Sequence, residues 1–122
     1  GLSDVEWVVQ LLQQCHGHGV SIVRTTSTMT ALDALQDASI LAHRDAQWLR
    51  DGYRFLSAIR NRLYLLRVRN VDVMPTDPDL TERLARSLGY GRGGRQDLEA
   101  DRLRHKRHIR QVTERVFYGI ER

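Results

Sequence analysis

The sequence predicts an all-α fold, a bundle of about five helices with one long central helix. Two observations carry this expectation. Apolar side chains recur at three- and four-residue spacing through most of the chain, the period of helices that each bury one face. Only one stretch, Val20 to Ser27, is rich in β-formers, and it has no partner strand, so it reads as an extended connector.

The elements follow in order. Val5, Val8, Val9 and Leu12 stand at i, i+3, i+4 and i+7, with Leu11 and Cys15 widening the face, and predict a helix from Asp4 to about His16. Ser3 and Glu6 have the S-x-x-E spacing of a capping box, and Asp4 adds negative charge where the helix dipole favours it. Together they are worth about 1 to 2 kcal/mol. Gly17 and Gly19 end the segment. A short second helix starts at Ser27 or Thr28 and carries Ala31, Leu32, Leu35 and Ala38.

From about His43 to Arg69 one pattern persists, with Ala46, Leu49, Tyr53, Leu56, Ile59, Leu63 and Leu66 on one side and Arg60, Arg62, Arg67 and Arg69 on the other. Gly52 inside it costs ~1 kcal/mol, which a closely crossing helix would account for. Pro75 breaks the pattern. Asp77-Pro78 then reads as an N-cap followed by proline at the first helical position, and Leu80, Leu84 and Leu88 form the stripe of a fourth helix that Gly89 ends. Gly89 to Arg95 reads as a flexible connector. The last helix, from about Gln96 to Tyr118, has a stripe of Leu98, His105, Ile109, Val112 and Val116. Its first half is dominated by Asp101, Arg102, Arg104, Lys106 and Arg107, a face that is exposed or meets something outside the chain.

Composition removes several function classes. The chain has 122 residues, 41% hydrophobic and 28% charged, enough for one domain that folds without metal or disulfides. No apolar run approaches the roughly 18 residues of a membrane span, and no charged and then apolar leader opens the chain. A cytoplasmic protein with no membrane partner is expected, and the single cysteine agrees with a reducing compartment. The net charge of +4 is spread among interspersed acids with no run of five like charges, so nucleic acid is not an expected partner.

No complete active site emerges from motifs. Cys15-His16-Gly17-His18, with His43 elsewhere, lacks the paired spacings of a zinc site, so no metal is expected and a buried Cys15 at a helix end is the plainer reading. His105 and His108, at i and i+3 among arginines, suit either a metal or phosphate contact or a solvated basic face, and His105 falls on the apolar stripe. The Gly89–Arg95 stretch follows a helix and lacks the order of a P-loop. No Ser-His-Asp or Cys-His arrangement has signature context.

Six fragments in order, GLSDVEWVVQLLQ, RTTSTMTALDAL, DGYRFLSAIRNRLYLL, MPTD, RLARSLGY and a basic helix ending ERVFYG, resemble one family over essentially all 122 residues. The chain is similar to the helical domain that follows a nucleotidyltransferase domain in the glutamine synthetase adenylyltransferase/adenylyl-removing family, in its actinobacterial form and in the C-terminal, adenylylating unit. The resemblance implies that residues 1–122 are a single helical domain of a larger two-unit enzyme, with the catalytic domain upstream of Gly1. It implies ATP and Mg²⁺ as cofactors of the parent, none bound to this fragment, and glutamine synthetase, a PII-type signalling protein and the parent's own nucleotidyltransferase domain as partners.

Nucleotidyltransferases of that kind hold two Mg²⁺ ions with a G-S turn and a D-x-D pair, and neither is expected in this chain. Asp4-Val5-Glu6 is no substitute, because residues i and i+2 of a helix point about 200° apart. The fragment alone is therefore expected to be inactive. Two roles within the parent stay open. In the first, the domain completes the active site and docks glutamine synthetase through Arg102, Arg104, Lys106 and Arg107, with Asp4 and Glu6 facing the nucleotide site. In the second, it is a regulatory module relaying PII or glutamine signals between catalytic units.

Overall fold

The structure, a computed structural model, describes residues 2–15, 28–66 and 77–121, with residues 120 and 121 described by their backbone alone. Among these residues the fold is all-α, with helices α1 (Leu2–Cys15), α2 (Thr28–Asp37), α3 (His43–Leu65), α4 (Pro78–Ser87) and α5 (Arg95–Glu121) and no strand. The Gly17 and Gly19 cap, the connector at 20–27, the run of the central helix to Arg69 and the break at Pro75 lie outside the described residues. No helix among the described residues is long and apolar enough to cross a membrane.

The chain forms two compact units, Gly1–Tyr53 with His105–Arg122, and Arg54–Arg104. Helices α3 and α5 each contribute a segment to both.

In the first unit, the face read from the spacing of α1 is buried: Val5 and Val8 completely, Val9 and Leu12 almost so. It packs on α2, whose Ala31, Leu32 and Leu35 are buried in turn. Two expectations fail at the ends of α1. The helix already includes Leu2, so Ser3 lies in its first turn and does not occupy the non-helical position a capping residue needs. Cys15, the last described residue of α1, is exposed.

Ala38 also fails to join the core. Helix α2 stops at Asp37, and the chain reverses through Ser39 at a positive φ of 60°. The N–H of Ile40 donates to the carbonyl of Leu35 and that of Ser39 to Gln36, both at 2.9 Å, the paired bonds of a Schellman ending. Leu41 then turns inward, and Ala46 and Leu49 of α3 are fully buried. The crossing inferred from Gly52 is present: a Cβ there would lie 2.8 Å from Cδ1 of Ile109 on α5.

In the second unit, Asp77 caps α4, its carboxylate accepting from the N–H of Asp79 at 3.0 Å with Pro78 in the first turn. The far end reverses through Gly89 at φ 90°, with the Tyr90 N–H donating to the Ala85 carbonyl. A core of Ile59 and Leu63 from α3, Leu84 and Ala85 from α4 and Leu98 from α5 is flanked by Phe55, Leu66, Leu88 and Tyr90.

The stretch expected to be a flexible connector is built as a hydrogen-bonded turn. The Gly94 N–H donates to the Gly91 carbonyl, and the Gly93 N–H donates 2.9 Å to the carboxylate of Glu82. A Cβ on Gly94 would collide with Cβ of Tyr90 and stand 2.8 Å from the Gly91 oxygen, so only glycine fits.

Candidate functional site

The acids singled out from the sequence sit on the first turns of α1 in the first unit, both exposed. The Tyr53 hydroxyl donates to Oε1 of Glu6 at 3.5 Å, a long bond that costs the carboxylate little of its freedom. The helix separates Asp4 from Glu6 by two residues, which sends their side chains to different sides.

One acid pair does spell D-x-D, contrary to the expectation that the chain carries none: Asp77-Pro78-Asp79. Its geometry is that of a helix start, since the Asp77 carboxylate is spent on the backbone N–H of Asp79. Among the described residues no three His, Cys, Asp or Glu side chains gather where they could hold a metal ion. The described residues therefore do not bring together the donor set of a two-metal nucleotidyltransferase centre.

The basic residues of α5 fall into two kinds. Arg102 is half-buried and clasped by Glu99, Nε donating at 2.9 Å and a terminal nitrogen at 2.6 Å. That hydrogen bond raises its already high pKa, with burial opposing. Arg104 pairs with Asp101 at 3.5 Å. Both belong to the second unit. Lys106 and Arg107, in the first, are exposed and carry no ion pair among the described residues. Among the described residues, two of the four expected docking cations are thus without an ion pair, and the other two are held on their own helix.

Sequence reasoning missed a buried, multiply bonded polar group of the first unit. Arg50 is buried, and donates 2.9 Å to Asp33 and 2.7 Å to Gln36 on α2, and 3.1 Å to Gln47 on its own helix. The amide of Gln36 meets Nδ1 of His43, and that of Gln47 donates to Asp51. Arg50 stands beside Leu49 and reads as the polar edge of a stripe. Only the polar pair Asp33 and Gln36, one turn apart on a short apolar helix, hints at it.

Of the pair His105 and His108, the second is engaged by packing. The His108 ring stacks on Trp48, centroids 4.0 Å apart and planes within 4°, and the Arg44 guanidinium lies 4.7 Å from the centre of the same indole. Among the described residues no third ligand joins them. A residue 60 positions away supplies that stack, and no local pattern announces it.

Surface aromatics form another cluster in this unit. Trp7 of α1 and Phe117 of α5 lie 6.4 Å apart, and Phe117 meets Tyr118 edge-on at 5.9 Å. All three are exposed.

With this geometry established, comparison with known proteins gives a consistent answer. The family model described as GlnD PII-uridylyltransferase matches residues 1–117. A bifunctional glutamine synthetase adenylyltransferase/adenylyl-removing enzyme of Streptomyces coelicolor is 42% identical over 119 residues, 98% of this chain and 12% of that protein. Proteins of the same name from Bifidobacterium longum and Corynebacterium glutamicum are 39% and 32% identical over 98% of the chain, which spans 11% and 12% of their lengths. No solved structure matches.

Proposed function

The chain belongs to the GlnD PII-uridylyltransferase family, and from that membership we propose that it is a helical domain of an enzyme that adenylylates glutamine synthetase and removes the adenylyl group. The observation that carries this reading is the alignment of relatives named for that activity over nearly the whole chain. In the longer enzyme, ATP and Mg²⁺ would be held by the nucleotidyltransferase domain, a PII-type protein would set the balance of the two activities, and the setting would be cytoplasmic. The described residues of this chain gather no set of metal ligands. Its part is to support the neighbouring catalytic domain and to dock the protein substrate.

Docking rests on Lys106 and Arg107, exposed cations of α5 that keep their charge available for an acidic surface. Charges at the rim of an interface act on encounter more than on chemistry. In a full-length enzyme carrying this domain, Lys106→Glu with Arg107→Glu should raise KM for glutamine synthetase by about tenfold, about 1.4 kcal/mol, at unchanged kcat. An unchanged KM with lost response to a PII-type protein would replace docking by the regulatory role, and unchanged values of both would remove α5 from either.

A further inference from the structure

The bonds around Arg50 have directions as well as lengths. A guanidinium only donates, so the amides of Gln36 and Gln47 must both turn their oxygens toward it, at 2.7 and 3.1 Å. Their nitrogens are then left to donate elsewhere. That of Gln47 donates to the Asp51 carboxylate at 2.8 Å, which accepts whenever it is ionised. That of Gln36 meets Nδ1 of His43 at 2.7 Å, which accepts only while it carries no proton.

Arg50 thereby decides the state of a histidine it does not touch. Turning the Gln36 amide over would let its oxygen accept from an Nδ1–H, but would set its NH₂ group against the guanidinium. His43 is therefore the neutral tautomer with its proton on Nε2. A protonated ring donates from both nitrogens, so Gln36 can serve Arg50 or a charged His43 and never the two together. His43 is exposed, and protons from solvent reach it freely.

We propose that His43, Gln36 and Arg50 form a proton-operated latch between α2 and the start of α3, closed while His43 is neutral and opened when it takes up a proton. The charged groups on the elements that meet there are Asp33 and Asp37 on α2, Arg44, Asp45 and Arg50 on α3, and Arg115 on α5. Asp33 is paired with Arg50 at 2.9 Å and Asp45 with Arg115 at 2.6 Å, so both carboxylates are already engaged. His43 is also the first residue of α3, where the positive end of the helix dipole opposes a further positive charge. Only the folded chain needs the ring neutral, so the fold binds fewer protons than the unfolded chain. The contribution of the latch is then present above the ordinary histidine range, about pH 6.5, and lost as pH falls through it.

A double-mutant cycle reads the latch directly. Gln36→Ala, His43→Ala and the double variant are unfolded in urea at about pH 8 and about pH 5, on either side of the histidine range. The loss of an acceptor for Arg50 is common to Gln36→Ala and the double variant and cancels in the cycle. At the higher pH the two single changes together should lower the folding constant by about threefold more than the double change does, and at the lower pH this excess should vanish. An equal excess at both pH values, or none at the higher one, would overturn the latch. A second reading needs no variant: the imidazole nitrogen resonances of the unsubstituted chain at about pH 8 should show Nδ1 of His43 without a proton, and a ring protonated there would overturn it as well.

Discussion

Gly52 of α3 and Ile109 of α5 approach so closely that a methyl group on the glycine would meet Cδ1 of Ile109 at 2.8 Å and Cγ1 at 3.0 Å. Ile109 is almost completely buried and has little room to withdraw. Alanine would gain about 1 kcal/mol of helix propensity and lose more to overpacking, typically about 1 to 3 kcal/mol. Gly52→Ala should therefore destabilise the chain by about 1 kcal/mol in urea unfolding. Ile109→Val removes Cδ1, and in that background the same Gly52→Ala change should be neutral or stabilising. Additive losses would show that the two residues are not coupled.

Arg50 should matter more than its most obvious partner. The guanidinium is buried, whereas the Asp33 side chain it bonds is 62% exposed and can turn to water. Arg50→Met keeps the bulk but strips a hydrogen bond from the half-buried amides of Gln36 and Gln47, a loss of about 2 kcal/mol. Asp33→Ala should cost under about 1 kcal/mol, as exposed ion pairs do. Denaturant midpoints of the two variants check the order. Equal losses would assign the stability to the ion pair.

How much of this is legible in the sequence follows from how local each cause is. The buried faces of α1 and α2 and the Asp77-Pro78 start of α4 depend on residues within two turns of one another, so spacing reveals them. The crossing at Gly52 is legible because a glycine on the apolar side of a long helix sacrifices helix propensity, a loss that close packing of a second helix offsets. The ends of α1 are not, at Ser3 and Cys15, because caps depend on backbone angles that a spacing pattern does not fix. The bonds of Arg50 to α2 and the stacking of Trp48 on His108 join residues 14 to 60 positions apart, and no periodicity encodes them. The candidate site divides in the same way: the exposure of Lys106 and Arg107 and the one-turn spacing of Glu99 and Arg102 are local and readable, while the aromatic cluster joins α1 to the end of α5 and no periodicity encodes it.

Ser39 holds a left-handed backbone, φ 60°, at the turn that ends α2. A residue with a Cβ is penalised there by about 1 kcal/mol, while glycine is free of that cost but loses about half as much to the entropy of the unfolded chain. Ser39→Gly should stabilise by about 0.5 kcal/mol, a rise in Tm of about 2 °C. Ser39→Val should destabilise by about 1 to 2 kcal/mol, since a β-branched side chain tolerates this region least. Calorimetry that ranks valine at or above serine would remove the left-handed turn from the account.

Tyr90 links the turn after α4 to α5 through its hydroxyl, which donates 2.5 Å to the Asp101 carboxylate. Burial first, and then that hydrogen bond and the charge of Asp101, push its pKa from 10 up to about 12. The folded state favours the protonated phenol, so the stability it contributes is complete below about pH 10 and is lost as pH rises through about 12. Tyr90→Phe should cost about 1 to 2 kcal/mol at pH 7, the range for a hydrogen bond to a charged group discounted for partial exposure. The difference between the two proteins should then shrink between pH 10 and 12, because only the tyrosine releases a proton on unfolding there. Urea titrations at about pH 7, 9 and 11 read this directly. A gap that stays constant to about pH 11 would mean that the phenol titrates alike in the folded and unfolded chains.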